Sequence, residues 1–281
     1  MLMKKEFITI REKETAVRFQ NTKVNAVRIK DILKKGVRVY KDDKIGVSGA
    51  IGDVSDEVLV ENAMQNLSTG IAYPYELSSN FKDHRNYNSN PMSETKLLAY
   101  SEEILETLKR DYSDFDFSEG LLTKEVTYQM QNSEGLDLEY KDAYMSLEMI
   151  LKEKKSANLF DGVLMYYGRS FDIDKFWAFN RGYLDAYRKD VPLPEGDVLP
   201  VFSFDFPELN GFLTRSLNGE RYATGSSIFS NKIGEKLFND KITLEQNRSP
   251  EHKPEPFFDM EGAVLNEDHH ALIEKGKLVS Y

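Results

Sequence analysis

At 281 residues the chain is at the upper end of what one hydrophobic core organises, so two structural units are expected. A hydrophobic content of 40% with 12% aromatics supports packed cores and argues against a disordered chain. The net charge of −10 repels phosphate, and the absence of cysteine removes disulfides, thiolate nucleophiles and thiolate metal ligands together.

The apolar runs, Asn158 to Tyr167 among them, are too short and too interrupted to cross a bilayer, and Met1 to Arg11 has no secretory pattern. The expectation is a cytoplasmic chain with no membrane and no nucleic-acid partner. Two basic stretches, Lys23 to Lys35 and Lys152 to Lys155, mix their charges with apolar residues and read as solvated faces.

In chain order, Ile8 to Val24 shows no sharp pattern beyond two short strand-like pieces, ITI and TAVRFQ. Val37, Val39, Ile45 and Val47 then alternate with polar residues around Lys41-Asp42-Asp43-Lys44, the signature of a hairpin. Asp53 to Glu57 supplies a cap and an acidic first turn for a helix reaching about Ser68. Ser78 to Pro91 reads as a loop, and Ser93 caps a second helix whose Leu97, Leu98, Ile104, Leu105 and Leu108 form a buried stripe. Strands follow over Leu121–Met130, Leu136–Leu151 and Asp161–Arg169, the first two joined by a turn at Asn132 to Gly135. Asp174 to Tyr187 reads as a helix with an aromatic core face of Phe176, Trp177, Phe179, Tyr183 and Tyr187.

The Pro/Gly-bearing segment Lys189 to Gly196 breaks the periodicity and marks a boundary between residues 1–190 and 191–281. Beyond it a strand is predicted over Val198–Phe204, helices over Pro207–Leu217 and Ile228–Phe238, and a last hairpin over Ala271–Tyr281 turning at Lys275-Gly276. The fold class read from this order is α+β. It comprises an N-terminal domain of β-hairpins and helices with a mixed or antiparallel sheet, then an incomplete β-rich second domain.

The order GVRVYKDDKIGVSGA, NSEGLDLEY, GSSIFSNKIGEKL, FFDMEGAVL and ALIEKGKLVSY resembles the TldD/PmbA family, classed as metallopeptidases and also called modulators of DNA gyrase. The resemblance implies a zinc motif, His-Glu-x-x-x-His, on the helix before the Gly-Ser-Ser loop of catalytic members. Zinc there lowers the pKa of a bound water, and the glutamate acts as base. Aligned without a gap back from Gly225-Ser226-Ser227, the motif positions fall on Asn210, Gly211 and Arg215. Asparagine is a poor zinc ligand, glycine has no donor, and a permanently charged arginine repels the ion.

By resemblance, the chain is then expected to be a non-catalytic PmbA/TldE-like subunit without a zinc cofactor of its own. It would work with a TldD-like subunit, or as a homodimer, on unfolded peptide or peptide precursors. Gly225, Ser226 and Ser227 would form a peptide-binding or structural loop. Family members continue past the last hairpin, whereas this sequence stops at Tyr281, so a shortened or fragmentary member is expected. Two other readings stay open: an active zinc peptidase whose ligands are not visible in this sequence, and a peptide- or protein-binding regulator with no enzymatic role.

The remaining metal-ligating residues read as structural. His269, His270 and Glu274 fall on a strand, where His270 and Glu274 lie two pleats apart, roughly 13 Å. His84 and His252 have no neighbouring ligand, Asp259 and Glu261 belong to a turn at Gly262, and Ser226 and Ser227 have no histidine or lysine base within sequence reach.

Overall fold

The computed structural model describes residues 3–88, 91–189, 192, 195–196, 207–249, 255–264 and 267–281, and it is described below for those residues. The chain forms two compact units, Met1–Lys189 with Lys253–Val264, and Asp190–His252 with Leu265–Tyr281. The α+β class holds.

Among the described residues, the first unit is built on a seven-stranded sheet. Its strands are β1 (Lys4–Gln20), β2 (Lys23–Lys41), β3 (Lys44–Ile51), β4 (Phe81–Asn86), β5 (Phe115–Asn132), β6 (Leu136–Glu153) and β7 (Gly162–Gly168), in the order β3-β2-β1-β5-β6-β4 with β7 also on β6. All pairings are antiparallel except β4 with β6. The turn at Asp42-Asp43 has both residues at positive φ, 51° and 55°, the geometry that matches strand twist in a two-residue hairpin.

The stretch without a sharp pattern, Ile8 to Val24, lies almost entirely in β1, a single strand of 17 residues. Its middle lacks hydrophobic alternation because cross-strand ion pairs occupy it. Arg11 meets Asp31 at 2.8 Å, Glu14 meets Arg28 at 2.9 Å and Lys30 at 3.2 Å, and Glu12 meets Lys124 at 2.6 Å. The loop expected over Ser78–Pro91 contains β4, whose polar side chains carry no strand signal. It forms by parallel pairing with Leu136–Lys141, by an ion pair from Lys82 to Asp137 and by a hydrogen bond between His84 and Asp137.

Residues of opposite parity on one strand face opposite sides of a sheet, and both sides are used. On one side Val17, Phe19, Leu121, Leu147, Met149 and Leu151 pack under α2 (Glu94–Asp111) and α3 (Ile173–Tyr187). On the other, Val126, Met130, Leu136, Leu138 and Tyr140 pack with Phe257 and Phe258. A separate cluster of Val37, Val39, Leu59 and Ala63 seats α1 (Asp56–Asn66) near the β2–β3 hairpin. Ser55 and Ser93 cap α1 and α2, each accepting a hydrogen bond from the amide three residues on.

The aromatic face read on α3 is divided. Phe176, Asn180 and Leu184 face the core at helical spacing, while Phe179 and Tyr183 are 53% and 43% exposed. Asn180 holds the inward position because its amide is satisfied there. It donates to the Met165 and Phe176 carbonyls and accepts from the Met165 N–H.

The outer edge of β6 is shared by two strands. β4 takes Leu136–Lys141 and β7 takes Met145–Leu151. Between them lies Asp142, fully buried, bound by the Arg169 guanidinium at 2.6 to 3.1 Å, by the Tyr140 hydroxyl and by the Ala143 N–H. An ion pair with added hydrogen bonds thus fills the break in the ladder.

The second unit contains α4 (Pro207–Ser216), α5 (Gly219–Ala223) and, among the described residues, a three-stranded sheet of β8 (Leu244–Asn247), β9 (His269–Glu274) and β10 (Lys277–Leu278) in the order β10-β9-β8. Leu213, Leu217, Phe229, Leu272, Ile273 and Leu278 form its core. The helix expected over Ile228–Phe238 is a run of turns. Asn231 and Gly234 have φ of 63° and 93°, and the N–H groups of Gly234, Leu237 and Phe238 bond to the carbonyls of Leu278 and Gly276 instead of to their own segment. The strand expected over Val198–Phe204 lies outside the described residues.

Candidate functional site

The stretch aligned with the family's zinc helix folds as α4, a turn, and α5. Leu213 and Leu217, four apart, are buried in the second unit's core and set the roll of the segment, leaving Arg215 exposed. The Arg215 Nε donates to the Gly211 carbonyl at 2.9 Å, so the guanidinium folds back along its own helix. Asn210 lies in α4, one residue before Gly211.

Asn218 starts α5 by accepting the Arg221 N–H at 3.1 Å. One turn later the helix stops in a defined way. Gly225 has φ of 70°, its N–H donates to the Tyr222 carbonyl, and the Ser226 N–H donates to the Arg221 carbonyl at 2.8 Å. This is the Schellman pattern, in which glycine supplies the left-handed residue at no steric cost. The Ser226 hydroxyl shares a 3.0 Å hydrogen bond with Thr224 and reaches the Arg221 carbonyl at 3.3 Å. The buried Ser227 hydroxyl donates to the Ser216 carbonyl at 2.5 Å and accepts the Phe229 N–H at 3.0 Å, tying the loop to the end of α4.

Thr214, Arg215, Glu220, Arg221, Thr224 and Ser226 border a shallow cleft of about 440 Å³. Its charged lining is two guanidiniums and one carboxylate, and the rest is hydroxyl and amide. Such a surface attracts anions and main-chain carbonyls and repels divalent cations. The sequence reading missed Thr214, Glu220, Arg221 and Thr224. The signal available was Asn218-Gly219, a cap-and-start pair that closes one helix and opens a second within the stretch.

The family's zinc can be tested against these residues. Gly211 offers no donor, and Arg215 presents a cation bound to the helix backbone, so the motif positions 211 and 215 do not fit the ion. Nor do three histidine, aspartate or glutamate side chains converge elsewhere among the described residues. His84 pairs with Asp137 at 2.9 Å, His269 with Glu245 at 3.3 Å and His270 with the Ser280 hydroxyl at 2.7 Å, while His252 is outside the described residues. Glu274 ends β9, the strand that carries His270. The Asp259 carboxylate accepts the N–H groups of Glu261 and Ala263, both at 2.9 Å, and Glu261 pairs with Arg38. These two acids therefore shape a turn, completed by Gly262 at φ 72°.

With this geometry in place, comparison with known proteins is informative. Residues 206–281, which contain α4, the cleft and the last hairpin, match the PmbA/TldA metallopeptidase C-terminal domain family. That segment is similar to the C-terminal domain of the TldD/PmbA metallopeptidases. Solved structures agree in fold over 99% of this chain. They include a modulator of a DNA gyrase from Thermotoga maritima (TM-score 0.77, 16% identity), TldE from Thermococcus kodakarensis (0.73, 14%) and a modulator of DNA gyrase from Bacteroides thetaiotaomicron (0.72, 15%). The chain spans 66%, 66% and 67% of the length of those three. No curated protein sequence matches it, and among the described residues no helix is long and apolar enough to cross a membrane.

Proposed function

We infer that this chain is a non-catalytic, TldE-like subunit of the TldD/PmbA family. It assists a TldD-type partner, which supplies the zinc, in the proteolysis of unfolded peptides or peptide precursors. The observation that carries this reading is Arg215, folded back on the Gly211 carbonyl where catalytic members place a histidine and a glutamate. Hydrolysis by zinc requires donors that hold the ion and a carboxylate that takes a proton from its water, and positions 211 and 215 provide neither. The fold likeness to a structure named TldE is in keeping with the reading.

The cleft's own chemistry suits a supporting role. Arg215 and Arg221 can hold a carboxylate or a main-chain carbonyl of an extended peptide, and the Thr224 and Ser226 hydroxyl oxygens, whose protons are engaged within the loop, can accept peptide N–H groups beside them. The test is cleavage of an unstructured peptide by the chain alone, by a TldD-type partner alone, and by the mixture. Activity in the mixture, abolished by a chelator, with none from this chain alone, is the predicted result. Chelator-sensitive cleavage by this chain alone would overturn the assignment.

A further inference from the structure

One edge of the first unit's sheet is open over part of its length. β2 pairs with β1 from Lys23 to Tyr40, but β3 covers its outer side only at Lys34–Lys41, extended by the Gly52 N–H bond to the Leu33 carbonyl. Asn25 is bulged out of the β1 register, so Ala26–Ile32 is a regular strand with no backbone partner on its outer side among the described residues. At about 3.4 Å per residue it presents roughly 24 Å of edge, along which alternate residues turn both N–H and C=O outward.

Edges of this kind are usually blunted by proline, by a covering loop or by charged side chains; here the charge of Arg28, Lys30 and Asp31 is the device present, and it turns away a like edge but not an acidic strand. AVRIKDI contains no proline or glycine. Val27 and Ile29 share a face and are 40% and 67% exposed, and Ile29 borders a groove of about 200 Å³ with Lys13, Thr15 and Thr123.

Charge tells what the edge would accept. Residues 11–34 carry seven basic and three acidic side chains, a net +4 within a chain of −10. On the face opposite Val27 and Ile29, Arg28 and Lys30 both lean on one carboxylate, Glu14, at 2.9 and 3.2 Å, so one positive charge there is left unmatched. Asp31, by contrast, is taken by Arg11. A second copy of the same edge would bring Arg28 and Lys30 against their own copies, which is repulsive.

We propose that Ala26–Ile32 is a docking strand for an extended acidic segment of a partner polypeptide, added antiparallel or parallel to β2. The segment alternates carboxylates, facing Arg28 and Lys30, with β-branched or aromatic residues, facing Val27 and Ile29. Main-chain bonds supply affinity, and the charge pattern supplies selectivity. This inference concerns the first unit alone and does not rest on the subunit assignment above, so either can fail without the other.

The test uses the full chain and a fluorescein-labelled octapeptide alternating Glu and Val, followed by anisotropy. Two control probes carry Lys in place of Glu, or N-methyl groups on every backbone amide, so that neither edge of the probe can donate. The Glu/Val probe is expected to bind and to weaken about tenfold between low salt and about 0.5 M salt. The Lys probe should bind at least about tenfold more weakly and the N-methylated probe should not bind, since backbone donors are needed. The R28E/K30E double variant, its fold checked by circular dichroism, should reverse the preference toward the Lys probe. The milder Lys30→Gln should weaken the Glu/Val probe if the double variant does not fold. Absence of binding, equal binding of both charged probes, or undiminished binding after N-methylation would overturn the proposal. So would a concentration-dependent dimer that Ile29→Lys abolishes.

Discussion

Removing the charge of Asp142 tests how the first unit's sheet is closed. The carboxylate is fully buried, the Arg169 side chain is 24% exposed, and the pair sits where β6 passes from one edge partner to the next. Deleting one member of a buried pair costs about 3–5 kcal/mol because the other is left desolvated. Arg169 can partly rehydrate, which places Asp142→Asn near the lower end, about 3 kcal/mol. For a unit of this size that corresponds to a fall in Tm of roughly 6–12 °C. The single tryptophan, Trp177, packs against the cluster beneath α2 and α3 in the same unit, so its fluorescence in urea or heat reports this unit specifically. Arg169→Met, which leaves the fully buried Asp142 carboxylate without its cation, should cost more, about 5 kcal/mol, and the D142N/R169M double variant should cost less than the two singles together, with a coupling of about 2 kcal/mol. An Asp142→Asn midpoint within about 0.5 kcal/mol of the parent would refute the argument that this ion pair closes the break in the ladder.

Three further outcomes follow from the same reasoning. Ser227→Ala leaves the Ser216 carbonyl and the Phe229 N–H without their partner, so about 1–2 kcal/mol of local stability is lost, read as faster hydrogen exchange at the Phe229 amide. Gly262→Ala forces φ of 72° on a residue whose Cβ would lie 2.8 Å from Leu136 Cδ2 and 3.2 Å from the Met130 sulfur; a cost of about 2 kcal/mol in urea unfolding is expected. Asp137 is held well below the ordinary carboxylate value of 3.8, first by Lys82 and then by Gln131 and His84. A depressed folded-state pKa contributes stability that is present above 3.8 and is lost as the pH falls below it. Asp137→Asn should therefore flatten the acid limb of the stability profile below about pH 4 and leave its shape near neutrality unchanged.

Elements with a local signal were legible in the sequence. The β2–β3 hairpin, the capped helices α1 and α2, the Asn132–Gly135 turn and the final hairpin each carry their own caps or turn residues, which need no distant partner. What escaped notice depends on distant partners. β1 and the start of β2 replace hydrophobic alternation with ion pairs that exist only once the two strands meet, and β4 is strand only because β6 offers it an edge. The buried Asn180 broke the aromatic pattern of α3 for the same reason, its partner being on β7. At the candidate site, the identity of residues 210, 211 and 215 could be read directly. The cleft formed with Glu220, Arg221 and Thr224 could not, because it depends on α4 stopping at Ser216 and α5 starting anew from Asn218.

The account's central claim is that α4 cannot hold the ion that catalytic relatives use, and zinc content measures it most directly. The purified chain is saturated with zinc, desalted, and analysed for metal per chain, alongside Asn210→Ala and Arg215→Ala. The account predicts far less than one equivalent in all three. One tightly held equivalent that is lost in Asn210→Ala would contradict it.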